Sequence, residues 1–182
     1  MISREDKAFT PMNVYILWGD AGTGKTRAAH TFDPNIFVLP CGGGQSTLWW
    51  DGYDPRTQET VLFDDFYGGV IKYAYLLKLL DGYRFNLPVK GSFAWKSYTN
   101  VFITSNTDPE SWYPAGLSPA LRRRITSIHQ YHADGAVEPP FEPVALRQRP
   151  ADDPARGEAG EGDASSDEED SGEDTLTEGE ED

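Results

Sequence analysis

The sequence predicts an α/β fold in which a parallel sheet carries its ligand at the carboxyl ends of the strands, and three observations lead there. An apolar, β-branched run, Val14-Tyr15-Ile16-Leu17-Trp18, passes through a glycine-rich turn into residues with good helix propensity. That turn, Gly19-Asp20-Ala21-Gly22-Thr23-Gly24-Lys25-Thr26, satisfies G-x-x-x-x-G-K-[ST], the spelling of a phosphate-cradling loop. Two later apolar runs, Val61-Leu62-Phe63 and Val101-Phe102-Ile103, each stop abruptly in polar residues. In a parallel sheet those polar ends fall beside the loop.

Taking the chain in order, residues 1–12 are polar, end in Thr10-Pro11-Met12, and read as a linker or the edge of something longer. In the loop, Gly19, Gly22 and Gly24 lack a Cβ, so the backbone can curl and turn successive N–H groups inward on a phosphate chain. A helix from about Lys25 towards Phe32 adds its dipole, Lys25 adds a point charge, and Thr26 offers a hydroxyl to Mg²⁺. Asp33-Pro34-Asn35 stops that helix, and Ile36 to Leu39 reads as a short buried strand. The aromatic patch Trp49-Trp50-Asp51-Gly52-Tyr53 reads as core or subunit contact.

Thr60 to Phe63 has buried-strand character and ends in Asp64-Asp65. Adjacent side chains point different ways, so one carboxylate can hold Mg²⁺ while the other orients or deprotonates an attacking water. Tyr73 to Leu80 carries four leucines and no breaker, which predicts a helix. Its Tyr75-Leu76-Leu77-Lys78 spells the Y-x-x-K of a nickase nucleophile, but the three histidines, His30, His129 and His132, supply no His-x-His metal pair, so Tyr75 is a helix-face residue.

Alternation on both sides of Lys90-Gly91-Ser92 predicts a β-hairpin from Tyr83 to Lys96. Lys90 and Lys96, with Phe93 and Trp95, suit a single strand gripped by charge and stacking; a solvated hairpin with a packed aromatic underside fits equally. Asn100 to Ser105 is the next strand, and Asn106 beyond it can donate and accept at once, towards a terminal phosphate or the attacking water. Ser118-Pro119-Ala120-Leu121 starts a capped helix, Arg122-Arg123-Arg124 follow, and Ile125 to Tyr131 forms a last strand. Such arginines are solvated, bind nucleic acid, or reach the phosphates of a neighbouring subunit.

Pro139, Pro140, Pro143 and Pro150 mark the exit from the fold, and residues 151–182 are too polar to bury a core and read as a disordered acidic tail. The net charge of −14 belongs to that tail, which holds 15 of the 30 acidic residues but only one of the 16 basic ones. The globular part is therefore neutral, and the acidity does not exclude a nucleic acid partner. Ser165 and Ser171 have acidic residues three positions on, the spacing an acid-directed kinase prefers. The single cysteine, Cys41, excludes a disulfide framework or a zinc site within one chain. No apolar run reaches a membrane span and the start is charged, so the reading is an intracellular, soluble protein without a membrane partner.

Taken together, Gly19 to Thr26, Val61 to Asp65 and Phe102 to Asn106, with Trp49 to Tyr53 and Arg123-Arg124-Ile125-Thr126-Ser127 around them, resemble the superfamily 3 helicase domain of replication initiators of circular single-stranded DNA viruses, circovirus-like ones especially. The likeness covers about residues 13–131 in the correct order. It implies a P-loop NTPase of AAA+-related αβα sandwich form, with five parallel strands ordered 5-1-4-3-2 and the domain occupying 13–132, followed by an exit segment, 133–150. It implies ATP and Mg²⁺ as cofactors, held by the loop Gly19, Asp20, Ala21, Gly22, Thr23, Gly24, Lys25 and Thr26. Asp64 would be the metal carboxylate, Asp65 the water-activating one, Asn106 the sensor, and Arg123 or Arg124 a finger acting on the adjacent subunit. Lys90, Gly91 and Lys96 match the loop that contacts DNA.

A finger acting in trans implies a head-to-tail homo-oligomeric ring, a hexamer in this family, working on DNA in the host nucleus. The resemblance does not include the nickase domain with which family members begin, so a split or spliced product or a fragment is expected, and the acidic tail lies outside the family pattern. The leading expectation is an ATP-dependent 3′-to-5′ DNA helicase in rolling-circle replication. Its rivals are an RNA helicase of a small virus and a nickase-less regulatory subunit joining rings of the full-length initiator.

Overall fold

In the computed structural model residues 9–43 and 48–142 are described. The acidic segment with its serines, residues 143–150, residues 1–8 and residues 44–47 lie outside them.

Apolar runs with β-branched residues build the strands β1 (Asn13–Gly19), β2 (Phe37–Pro40), β3 (Thr60–Asp64), β6 (Asn100–Ser105) and β7 (Ser127–Tyr131). All five are parallel and lie in the order β2-β3-β6-β1-β7, the 5-1-4-3-2 arrangement read in reverse. Among the described residues the sheet nevertheless has six strands rather than five, because β8 (Val137–Glu138) turns back antiparallel on β7 at one edge. This strand lies past residue 132, and Phe141 packs beyond it. Central strands of a parallel sheet bury both faces, and every residue of β6 is buried.

Period-2 alternation sends successive residues to opposite sides. Val14, Ile16, Val61, Phe63, Val101 and Ile103 face a large cluster that includes Leu76 and Leu79 of α2 (Tyr73–Leu79) and Leu121 of α3 (Pro119–Arg122). Tyr15, Leu17, Leu62 and Phe102 face the other way, onto Ala29 of α1 (Lys25–Phe32). Helices thus cover both faces of the sheet. The two-tryptophan patch divides in two: Trp50 is fully buried between Phe37 and Tyr98, while Trp49 is exposed. Tyr75 packs its ring on Phe85 as a helix-face residue.

Apart from the sheet stands the hairpin of β4 (Asn86–Val89) and β5 (Ser92–Trp95), joined by Lys90 and Gly91, with Gly91 at φ 75°. Among the described residues no helix is long and apolar enough to cross a membrane.

Candidate nucleotide and nucleic-acid site

Everything the sequence places at strand ends arrives at one edge of the sheet. Because β1, β3 and β6 run parallel in register, with Phe63 opposite Ile103 and Trp18 opposite Ser105, the loop after β1, Asp64 at the end of β3 and Asn106 after β6 leave the sheet on the same side. Residues 21–27, Asp65 and Asn106 line a cleft there of about 460 Å³. Gly19 makes the first bend possible at φ 130°, where a Cβ would sit 2.1 Å from the carbonyl oxygen of Tyr131. Gly24 caps α1 from the left-handed region at φ 92°, so no side chain obstructs the first N–H groups of the helix.

Lys25 is 6% exposed, and its Nζ donates to the carbonyl oxygens of Gly19 at 3.0 Å and Asp20 at 2.5 Å. Burial pushes its pKa below the ordinary lysine value; the carboxylates of Asp65, Asp20 and Asp64 pull it partly back. The Thr26 hydroxyl donates to Asp64 Oδ1 at 2.8 Å, tying the loop to the acidic strand end. This pair, a hydroxyl and a carboxylate joined beside the cleft, is the kind of hard-oxygen donor set magnesium takes. Among the described residues no group of three or more His, Cys, Asp or Glu is disposed to hold a metal, so an ion here would draw its other ligands from phosphate and water.

Asp65 departs from Asp64 through a left-handed residue conformation, φ 54°, which turns its exposed carboxylate into the cleft. Thr104 holds both acids in relation: its hydroxyl donates to Asp64 Oδ1 at 2.8 Å and accepts from the Asp65 backbone N–H at 3.1 Å. Sequence reasoning missed Thr104; its only signal was a hydroxyl in the polar end of a strand, two residues before Asn106. It also missed the Asp20 carboxylate, which accepts from the Ala133 N–H at 3.0 Å and fastens the loop to the β7–β8 turn.

Cys41, at the end of β2, lies under the same acids, its N–H donating to the Asp64 carbonyl at 2.8 Å. Burial, then the negative charges of Asp64 and Asp65, push its thiol up to about 12. Alkylation of Cys41 at pH 8 is accordingly expected to run at least on the order of 10²-fold slower in the folded protein than in urea, read by mass after timed quenching. A folded-state rate near that of the unfolded chain would mean that this corner of the sheet opens freely.

The arginine run sorts itself by burial. Arg124 is committed: one guanidinium nitrogen donates to Asp81 Oδ2 at 2.7 Å and the other to the Ala120 carbonyl at 2.7 Å. Arg122 pairs with Glu110. Arg123 is exposed, on the rim of a second cleft with Phe9, Leu80, Asp81 and Tyr83. Of the two finger candidates, Arg124 is a structural ion pair.

The hairpin requires a correction of the same kind. Lys96 is not on its surface: it is 3% exposed, its Nζ donates to the Asp81 carbonyl at 2.6 Å, and it lies 4.7 Å from the centre of the Tyr98 ring. The alternation that places it outward ends with β5 at Trp95, and one residue later the chain turns into the core. Lys90 does project from the tip, and its N–H donates to Asp51 Oδ1 at 2.8 Å, so an acid from the aromatic patch braces the turn. Phe93 beside it is exposed, and Arg84 lies over the half-buried Trp95 ring.

With this geometry in hand, the likeness to known proteins is specific. The chain is 38% identical over 127 residues to the replication-associated protein of Canary circovirus, covering 69% of this chain and 41% of that protein. It is 38% identical over 122 residues to the namesake from Beak and feather disease virus (66% and 39%), and 37% identical over 121 residues to that of Porcine circovirus 2 (64% and 36%). The matched stretch thus spans about two fifths of the length of these relatives. Residues 15–107, from the first strand to the residue after Asn106, match the family model described as RNA helicase. By that match, over more than half its length, the chain belongs to the RNA helicase family, in the form shared with circovirus replication-associated proteins.

Proposed function

We propose that this chain is the ATP-driven helicase motor of a rolling-circle replication system, hydrolysing ATP to move along and unwind DNA in the host nucleus. The observation that carries it is the convergence of Lys25, the Thr26–Asp64 pair, Asp65 and Asn106 on one cleft at the carboxyl edge of β1, β3 and β6. The loop amides from Gly22 to Thr26 bind the phosphates and Lys25 exchanges its carbonyl partners for the outer phosphate oxygens. Thr26 and Asp64 would hold magnesium, which when bound offsets the charge of the outer phosphates. Asp65 faces the cleft as the group that orients the attacking water and accepts its proton, with Asn106 hydrogen-bonding that water or the terminal phosphate.

Arg123 is the finger. It is exposed on the rim of the second cleft, and it completes the site of the next subunit in a head-to-tail ring, a hexamer by family resemblance. Lys90 and Phe93 at the hairpin tip supply charge and a stacking face to one strand, while Lys96 props the hairpin from beneath. RNA as the unwound duplex is the second reading; the description of the matched family favours it, and a tip that offers charge and stacking without base-edge readout accepts either strand.

ATP turnover with and without single-stranded DNA, together with strand displacement on matched DNA and RNA duplexes, tests both readings. Arg123→Ala is expected to lower turnover by at least on the order of 10²-fold without loss of thermal stability. Mixing it with Lys25→Ala is expected to restore part of the activity, since each variant supplies what its neighbour lacks. Arg124→Ala is expected instead to lower the melting temperature, because it leaves Asp81 without its guanidinium. Full activity in Arg123→Ala, or no DNA-stimulated turnover in folded material, would remove the ring motor.

A further inference from the structure

The loop that grips phosphates has a second face. On the outer side of Gly22 to Gly24, sharing Arg27 with the phosphate cleft, lies an adjoining cleft of about 540 Å³ bounded by Ala28, Thr31 and Phe32 of α1 and by Phe141. Phe141 comes from the segment after β8 and is firmly set. Its ring makes edge contacts with Tyr15 at 5.5 Å, Phe102 at 5.8 Å and His129 at 5.0 Å. The backbone two residues earlier is fastened by His129, whose Nδ1 donates to the Pro139 carbonyl at 2.7 Å. That carbonyl can only accept, so Nδ1 carries a hydrogen, and Nε2 hydrogen-bonds the Ser127 hydroxyl at 2.7 Å.

Resting on the reading that the loop binds a triphosphate, we propose that this cleft seats the nucleobase between Phe141 and α1 by stacking and shape alone, and that the motor therefore accepts all four nucleoside triphosphates. The two clefts share the wall formed by Gly22, Thr23, Gly24 and Arg27, so a nucleotide with its phosphates in one directs its nucleoside towards the other. Its aromatic lining, Phe32 and Phe141, is what a base face takes, and stacking is tolerant of base identity.

Discrimination between bases requires polar groups that match one edge and would be left unpaired by another. This cleft lacks them: none of its described lining residues is Asp, Glu, Asn, Gln or His. The hydroxyls of Thr23 and Thr31 donate to the Asp20 carbonyl at 2.8 Å and the Arg27 carbonyl at 2.9 Å, so towards a base they can only accept, and each of the four bases carries an N–H that such an acceptor can take. Arg27 offers donors alone, so any bias it introduces runs towards the acceptor edge of guanine rather than towards adenine.

The test is competition against a fluorescent ATP analogue on the full chain with magnesium, using ATP, GTP, CTP, UTP and inorganic tripolyphosphate as competitors. All four nucleotides are expected to compete within about tenfold of one another. Phe141→Ala is expected to weaken all four by about tenfold while leaving tripolyphosphate unchanged, the size expected for one lost base–aromatic stack. Because Phe141 also packs in the core, Thr31→Trp, on the exposed face of α1, is the companion: it fills the cleft and produces the same split between nucleotide and tripolyphosphate. A preference for ATP of more than about 100-fold would overturn the proposal, as would unchanged nucleotide affinity in Thr31→Trp. If neither tripolyphosphate nor any nucleotide binds folded protein, the phosphate loop reading itself fails and takes this one with it.

Discussion

Lys25→Ala is expected to lower ATP turnover by on the order of 10²–10³-fold, the loss that follows from removing one pre-aligned positive donor from a site of developing negative charge. The same change should leave the protein folded. The ammonium is buried and its pKa is held below the ordinary value by that burial, so keeping it charged costs the fold something that its three acidic neighbours only partly offset. Circular dichroism melts beside a coupled phosphate-release assay separate the two effects. A melting temperature that falls together with activity would mean that Lys25 is mainly a structural tie to Gly19 and Asp20, and the catalytic reading of the loop would lose its support.

The second large effect is on stability alone. Trp50 is fully buried, its ring stacked between Phe37 at 5.6 Å and Tyr98 at 5.6 Å, while its backbone N–H donates to the Pro88 carbonyl at 2.9 Å and ties this segment to the hairpin. Trp50→Ala removes the largest fully buried side chain and is expected to cost about 3–5 kcal/mol. A small domain has about 5–15 kcal/mol in total, so the variant should unfold at far lower urea or be partly unfolded without it. Trp49→Ala, one residue away and exposed, should shift the midpoint little. Equal effects at the two positions would contradict the division of this patch between core and surface.

Much of the site was legible because its parts are local. A glycine-rich turn between an apolar run and a helix former is a statement about neighbouring residues, and residues 19–26 form the loop with α1 beginning at Lys25. Asp64, Asp65 and Asn106 were legible for a related reason: each ends an apolar strand, and in a parallel sheet the strand ends line up. The hairpin turn at Lys90-Gly91 likewise followed from residues in immediate sequence.

What could not be read depends on partners distant in the chain. Thr104 acquires its role from Asp64, 40 positions away, and Asp20 from Ala133, 113 positions away. Lys90 and Lys96 look alike as sequence, yet one projects from the hairpin tip and the other is capped by the Asp81 carbonyl under it. Arg123 and Arg124 are adjacent and identical in type, and Asp81 alone separates a free face from an ion pair. The sixth strand and Phe141 lie where four prolines suggested an exit, because a two-residue strand at a sheet edge carries no periodicity of its own. By itself, then, the order of residues determined where the chain bends, which runs are strands and which side chains end them, since these depend on dihedral preference and alternation over a few residues. Tertiary structure alone decided which of several equivalent charges is buried, paired or presented, since that depends on the low-dielectric surroundings and counter-charges that distant segments bring to each one.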